Sequence, residues 1–157
     1  MKVVLIIILV VIIMIIANAI SEQYKEKFDF YANLKLFLNQ FVINLNFKQE
    51  VVMNFLEKTK PQKQFLFFVN AYKKYLKTNE LDLSVIKILS FEEKAELHDM
   101  ILSIGKLDVT NETKQMEMFL LNIEEKLKKA ENDKTKLCPM ILKLSLLFSI
   151  ALAILLL

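Results

Sequence analysis

The chain has 157 residues, 55% of them hydrophobic and 25% charged, with one glycine, two prolines, one cysteine and no tryptophan. Tight turns rely on glycine and proline, so this composition excludes a turn-rich β-sandwich or barrel, and one glycine excludes a glycine-rich phosphate loop. Net charge is +3, but of 21 lysines Lys2 and Lys143 lie at the ends, leaving 19 against 18 acids in residues 21–139. That near-neutral middle argues against nucleic acid as a partner, since such binding needs a basic surplus on one face.

Residues 3–20, VVLIIILVVIIMIIANAI, hold one polar side chain, Asn18. As a helix they would span about 27 Å, close to the hydrocarbon core of a bilayer, about 30 Å. The same stretch fits a signal peptide: Lys2, an apolar run, then Ala17-Asn18-Ala19 as a small-x-small cleavage site. The run continues through Ile20, which favours an anchor. Lys25 and Lys27 follow it, and Lys126, Lys128, Lys129, Lys134 and Lys136 precede the second apolar stretch, residues 140–157. By the positive-inside rule this distribution puts the middle section in the cytoplasm. Lys143 lies near enough to the edge of the second stretch to snorkel outward.

Between the spans the apolar period is helical. Tyr24, Phe28, Tyr31, Leu34, Leu38, Phe41 and Leu45 share one face of a helix that can continue from the first span. Val51, Val52, Phe55 and Leu56 predict a short helix closed near Pro61, and Phe65, Phe68, Val69, Tyr72 and Leu76 predict a third stripe. Residues 81–89, LDLSVIKIL, alternate like a strand, but a lone strand has no partner here and a short helix is expected instead. Ser90-Phe-Glu-Glu93 fits a capping box, opening a helix that buries Leu97, Met100, Ile101 and Ile104. The sole glycine, Gly105, follows that helix, where a left-handed residue commonly ends the turn. Asp108 then either caps the last helix or steadies the turn before Thr110. The last helix buries Met116, Phe119, Leu120, Ile123, Leu127 and Ala130 and runs toward the second span, with Pro139 placed to kink or restart it. The expected fold is all-α: a bundle of about five to six helices over residues 21–139, between spans at 1–20 and 140–157.

Catalytic chemistry is not expected. A single histidine, His98, rules out a histidine metal cluster, and a single cysteine, Cys138, rules out an internal disulfide or thiolate site. Cys138 at the membrane edge could be acylated, but a plain buried thiol fits better. Glu92, Glu93 and Glu96 gather at a helix start, where carboxylates favour the dipole. Phe65, Phe67 and Phe68 read as core before they read as an interface. No cofactor, metal or small-molecule substrate is expected.

Residues 101–157 taken together resemble stage III sporulation protein AB of endospore-forming bacteria. The corner Ile104-Gly105-x-x-Asp108, the lysine-rich amphipathic helix with Ala130, Lys136 ahead of the membrane and a terminal span ending in three leucines carry the resemblance. The N-terminal half agrees in layout only. Departures are Glu112 where the family usually has Gln (a Gln follows at Gln115), Pro139 where a Lys is common, and Leu144-Ser145 where a Leu-Gly pair opens the span. The resemblance implies a mother-cell membrane protein in an assembly linking mother cell and forespore. It implies a helical domain similar to the cytoplasmic domains of type II secretion and type IV pilus platform proteins. Expected partners are the membrane, other stage III sporulation proteins and, by analogy with platform proteins, an ATPase of the same operon. The alternative is an exported helical binding module cleaved after Ala19 and held by its C-terminal span; a stand-alone membrane-active protein would need helices too weakly packed to form a bundle.

Overall fold

The computed structural model describes residues 2–47, 56, 63–104, 106 and 108–156. Among the described residues lie four helices with defined bounds: α1 (Lys2–Phe47), α2 (Lys63–Thr78), α3 (Phe91–Ser103) and α4 (Val109–Leu156). Among the described residues there is no strand. The expected spans are not separate elements, because α1 and α4 each contain one. The helix expected around Val51 lies outside the described residues except for Leu56, which is helical and fully buried.

The chain divides into two compact units, Met1–Phe28 with Lys128–Leu157, and Asp29–Leu127. In the second unit the predicted stripes become the core. Tyr31, Leu34, Leu38 and Phe41 of α1 are buried, as are Phe65, Phe68, Val69 and Tyr72 of α2. Phe30 and Phe37, outside the predicted stripe, are buried too, because α1 is covered on a wider arc than one seam. Phe68 is the hub, with its ring 6.3 Å from Phe30, 5.7 Å from Phe37, 5.2 Å from Phe65 and 6.2 Å from Tyr72. Edge-on and offset rings of this kind add about 0.5–1.5 kcal/mol per pair beyond burial. Leu76 and Phe67, by contrast, are exposed.

Residues 81–89 are not a helix but successive turns. The spacing of Leu83, Ile86 and Leu89, all buried, imitates a helical face. Local polar groups decide otherwise: the Ser84 N–H donates to Asp82 Oδ1 at 2.9 Å and the Ile86 N–H to the Leu83 carbonyl at 3.2 Å. Short polar side chains compete with helical bonding in this way. Upstream, Asn79 at φ 57° ends α2, its N–H bonded to the Tyr75 carbonyl at 2.8 Å. Asparagine tolerates the left-handed region, so here the helix stops without glycine.

The capping box forms as its residues predict. Ser90 Oγ accepts the Glu93 N–H at 3.2 Å, and Glu93 Oε2 accepts the Ser90 N–H at 2.8 Å. Leu97, Met100 and Ile101 are buried, while Ile104 is half-buried with an extended backbone, φ −63° and ψ 131°. In α4, Met116 and Ile123 are buried and Phe119, Leu120 and Leu127 half-buried. Polar ties join the helices of this unit, among them Lys126 Nζ to Glu96 Oε2 at 2.7 Å, Asn122 Nδ2 to Glu96 Oε2 at 3.3 Å and Lys35 Nζ to Glu124 Oε1 at 2.8 Å.

Candidate functional site: a two-helix membrane unit

The first unit pairs the N-terminal part of α1 with the C-terminal part of α4. Both helices are long and apolar enough to cross a membrane by length and composition, with mean hydropathy 3.2 and 2.3 over their most apolar windows. They run antiparallel. Ser21 meets Cys138, Met14 meets Ser145, and Leu5, Ile6 and Leu9 line a shared hollow with Leu156.

The side chains buried in this unit are small: Ala17, Ser21, Ala130, Cys138 and Ser149. The large ones face outward, among them Leu5, Ile8, Ile12, Ile15, Leu144, Leu147 and Phe148. In water that arrangement would forfeit the hydrophobic gain of closure. In lipid it is what helix pairing requires, because close backbone approach and interhelical hydrogen bonds replace a hydrophobic drive that hydrocarbon removes.

One meeting point is reciprocal. The Ser21 hydroxyl donates to the Cys138 carbonyl, and the Cys138 thiol to the Ser21 carbonyl, each at 3.4 Å. The other hydroxyls are also satisfied: Ser149 Oγ donates to the Ser145 carbonyl at 2.7 Å, and Ser145 Oγ to the Leu142 carbonyl at 2.9 Å, 3.6 Å from Met14 Sδ. No backbone or hydroxyl group need face lipid unpaired at these positions. α4 continues through Pro139 without restarting. Pro139 is exposed, at the polar end of the span where the carbonyl it leaves without an N–H partner can be solvated. At that same end Lys134 Nζ lies 4.0 Å from the Phe28 ring centroid and Lys25 Nζ 3.2 Å from Glu22 Oε2. Lys143 is exposed on the outer surface, free to extend toward the polar boundary.

A model of the family described as stage III sporulation protein AB matches residues 2–157. The chain belongs to that family. No curated protein and no solved structure matches it.

The residues that carry the resemblance to the stage III sporulation protein AB family, Gly105, Asp108, Ala130 and Lys136, are spread along the chain. Gly105 lies outside the described residues. Asp108 precedes α4 as its cap: its Oδ2 accepts the Asn111 N–H at 3.4 Å and its carbonyl the Glu112 N–H at 2.9 Å. The Asn111 amide, hydrogen-bonded to its carboxylate, holds Asp108 below the usual carboxylate range. Ala130 is buried in the membrane unit and Lys136 is exposed at its polar edge. Of the departures, Glu112 is buried in the first turn of α4, where a carboxylate suits the helix dipole. Ser145, standing where the family has glycine, is half-buried against Met14 and takes part in the seam rather than opening it.

Sequence reasoning named Cys138 as a buried thiol and it is one. It missed Ala17, Ser21 and Ser149 as pairing residues. The signal was available: Ala17-x-x-x-Ser21 and Ser145-x-x-x-Ser149 are small residues four apart, the spacing that lets membrane helices approach. Among the described residues, no group of three or more His, Cys, Asp and Glu side chains could hold a metal ion.

Proposed function

We propose that the protein is a membrane-anchored assembly component of the stage III sporulation complex linking mother cell and forespore, presenting its helical unit to partner proteins without catalysing a reaction. The observation that supports this is the inverted burial of the first unit, small side chains inside and large ones outside, in a member of a sporulation family. A resident hairpin also favours an anchor over a cleaved leader. Cleavage after Ala19 would remove Met14 and Ala17, half of the seam. The proposed partners are other stage III sporulation proteins and, by analogy with secretion and pilus platform proteins, an ATPase of the same operon. The lysines at positions 25, 27, 128, 129, 134 and 136 favour a cytoplasmic helical unit on the mother-cell side.

Deleting residues 140–157 is the test. The expected outcome is an engulfed forespore that fails to develop although the shortened chain accumulates, because one tether no longer holds the unit at the effective concentration its partners need. Normal spores from a stably accumulated truncation would sink the proposal. Orientation is read separately with Lys129→Cys in a Cys138→Ala background: an impermeant maleimide should label it only after cells are opened.

A further inference from the structure

Three lysines of α4 in the membrane unit, Lys129, Lys136 and Lys143, stand seven residues apart. Seven residues are close to two helical turns, so the three share one face within about 40° and rise about 10 Å from each to the next. All three are exposed, and among the described residues none of them forms an ion pair. Glu125 and Asp133 stand a turn to either side of Lys129, but no carboxylate stands within a turn of Lys143.

Charge alone would make this a solvated face, but the depth of Lys143 makes it more. It lies between two contacts of α4 with α1, Cys138 with Ser21 on one side and Ser145 with Met14 on the other. Its neighbours Leu144, Leu146 and Leu147 are exposed, on the surface that lipid covers. An ammonium at that depth is costly unless an anion meets it. The direction of the side chain shows where. α4 enters the membrane N-terminal end first, and the Cα–Cβ bonds of a helix tilt toward its N-terminus, so the Lys143 stem leans back toward Lys136. Between the two on that face lie Pro139 and Met140, both exposed and both uncharged. An apolar strip is thus bracketed by one ammonium at the polar edge and another leaning up from inside the span.

We infer that this face of α4 holds an anionic phospholipid, its phosphate shared between the Lys136 and Lys143 ammonium groups, its glycerol backbone over Pro139 and Met140 and an acyl chain along Leu146 and Leu147. Lysines at the edge of a span attract anionic headgroups, and Lys129 adds to that field from one step further out. A carboxylate from a partner protein would answer the charge alone. The lipid answers the charge and the leucines beneath it together, which is why it is the occupant assigned. The assignment rests on the membrane anchoring of the first unit and adds to it a preference for one class of lipid.

The experiment places the full chain in phosphatidylcholine nanodiscs doped with either phosphatidylglycerol or phosphatidylcholine, each carrying the same nitroxide high on its acyl chain, and reads line broadening of the Met140 methyl by NMR. Expected is severalfold stronger broadening from the phosphatidylglycerol probe. Lys136→Gln combined with Lys143→Gln should make the two probes equal while both still broaden Met140, since the span stays in the bilayer. Lys25→Gln combined with Lys27→Gln removes the same charge from α1 and should leave the difference in place. Equal broadening in the unchanged chain would overturn the assignment and leave the lysines to a partner's carboxylates. A preference that survives the α4 pair, or that vanishes with the α1 pair, would overturn it in favour of general surface charge. Broadening by neither probe would sink the membrane reading as well, so the two failures are told apart in one assay.

Discussion

In residues 29–127 the fully buried positions include Phe30, Phe68 and Tyr72; in the paired spans the buried positions belong to Ala17, Ser21 and Ser149, while leucines, isoleucines and Phe148 point outward. The same chain thus solves two packing problems in two solvents. Water drives the large side chains of the helical unit together, each buried Phe contributing about 1.5–3 kcal/mol. Lipid offers the spans no such gain, so contact depends on small residues and shared hydrogen bonds. Hydrophobicity therefore predicts burial in one unit and exposure in the other.

That contrast can be broken most forcefully at its aromatic end. Phe68→Ala should cost the helical unit about 3–5 kcal/mol, seen as loss of near-ultraviolet tyrosine circular dichroism at lower denaturant, whereas Leu147→Ala should change nothing in that signal. Equal effects would mean that the units are not packed on different principles.

Alkaline pH separates the units next. Burial, then the Glu93 carboxylate, raises Tyr31; burial, then the Glu112 carboxylate, raises Tyr72. A phenol whose folded pKa is raised contributes stability that is complete below the unfolded value of about 10 and lost as pH climbs toward the folded one. Two such groups should give a slope approaching about 2–3 kcal/mol per pH unit above pH 10. Tyr31→Phe should remove roughly half of that slope. A flat alkaline profile would show that neither phenol is held neutral.

The seam is tested by overfilling. Ser21→Leu should force the spans apart at Cys138, at about 1–3 kcal/mol, and a small thiol reagent that reacts slowly with the buried Cys138 should then react quickly. A protected thiol in that variant would place the contact elsewhere. A smaller loss, about 1 kcal/mol, is expected for Ser90→Ala, read by chemical denaturation, since one half of the capping box disappears. Last, His98→Ala should leave sporulation unchanged: its Nδ1 is 3.5 Å from Asp99 in a half-exposed pair, and a block would contradict a non-catalytic role.

The sequence disclosed most where one residue type implies one geometry. Ser90 and Glu93 foretold their hydrogen bonds, and the steps of three and four foretold most of the α1, α2 and α4 cores. It misled where a period had two readings: Leu83, Ile86 and Leu89 are spaced for a helix, and only the Ser84 N–H bond to the Asp82 carboxylate and the Ile86 N–H bond to the Leu83 carbonyl resolve them as turns. The Tyr31 hydroxyl and the burial of Glu112 could not be read at all, because both depend on residues distant in sequence closing around them.

The outer surface of the paired spans has a mechanical consequence. It is built of Ile, Leu, Val and Phe with no tryptophan, and Tyr24 is the unit's only tyrosine. Interfacial Trp and Tyr usually fix how deep and at what tilt a span sits. With almost none, vertical position is governed chiefly by the lysine cluster at one edge, Lys25, Lys128, Lys129, Lys134 and Lys136. The opposite edge carries a single lysine, Lys2, so it is held less firmly as the bilayer thickens or thins, and the hairpin accommodates membranes of unequal thickness while its polar end stays near a fixed height.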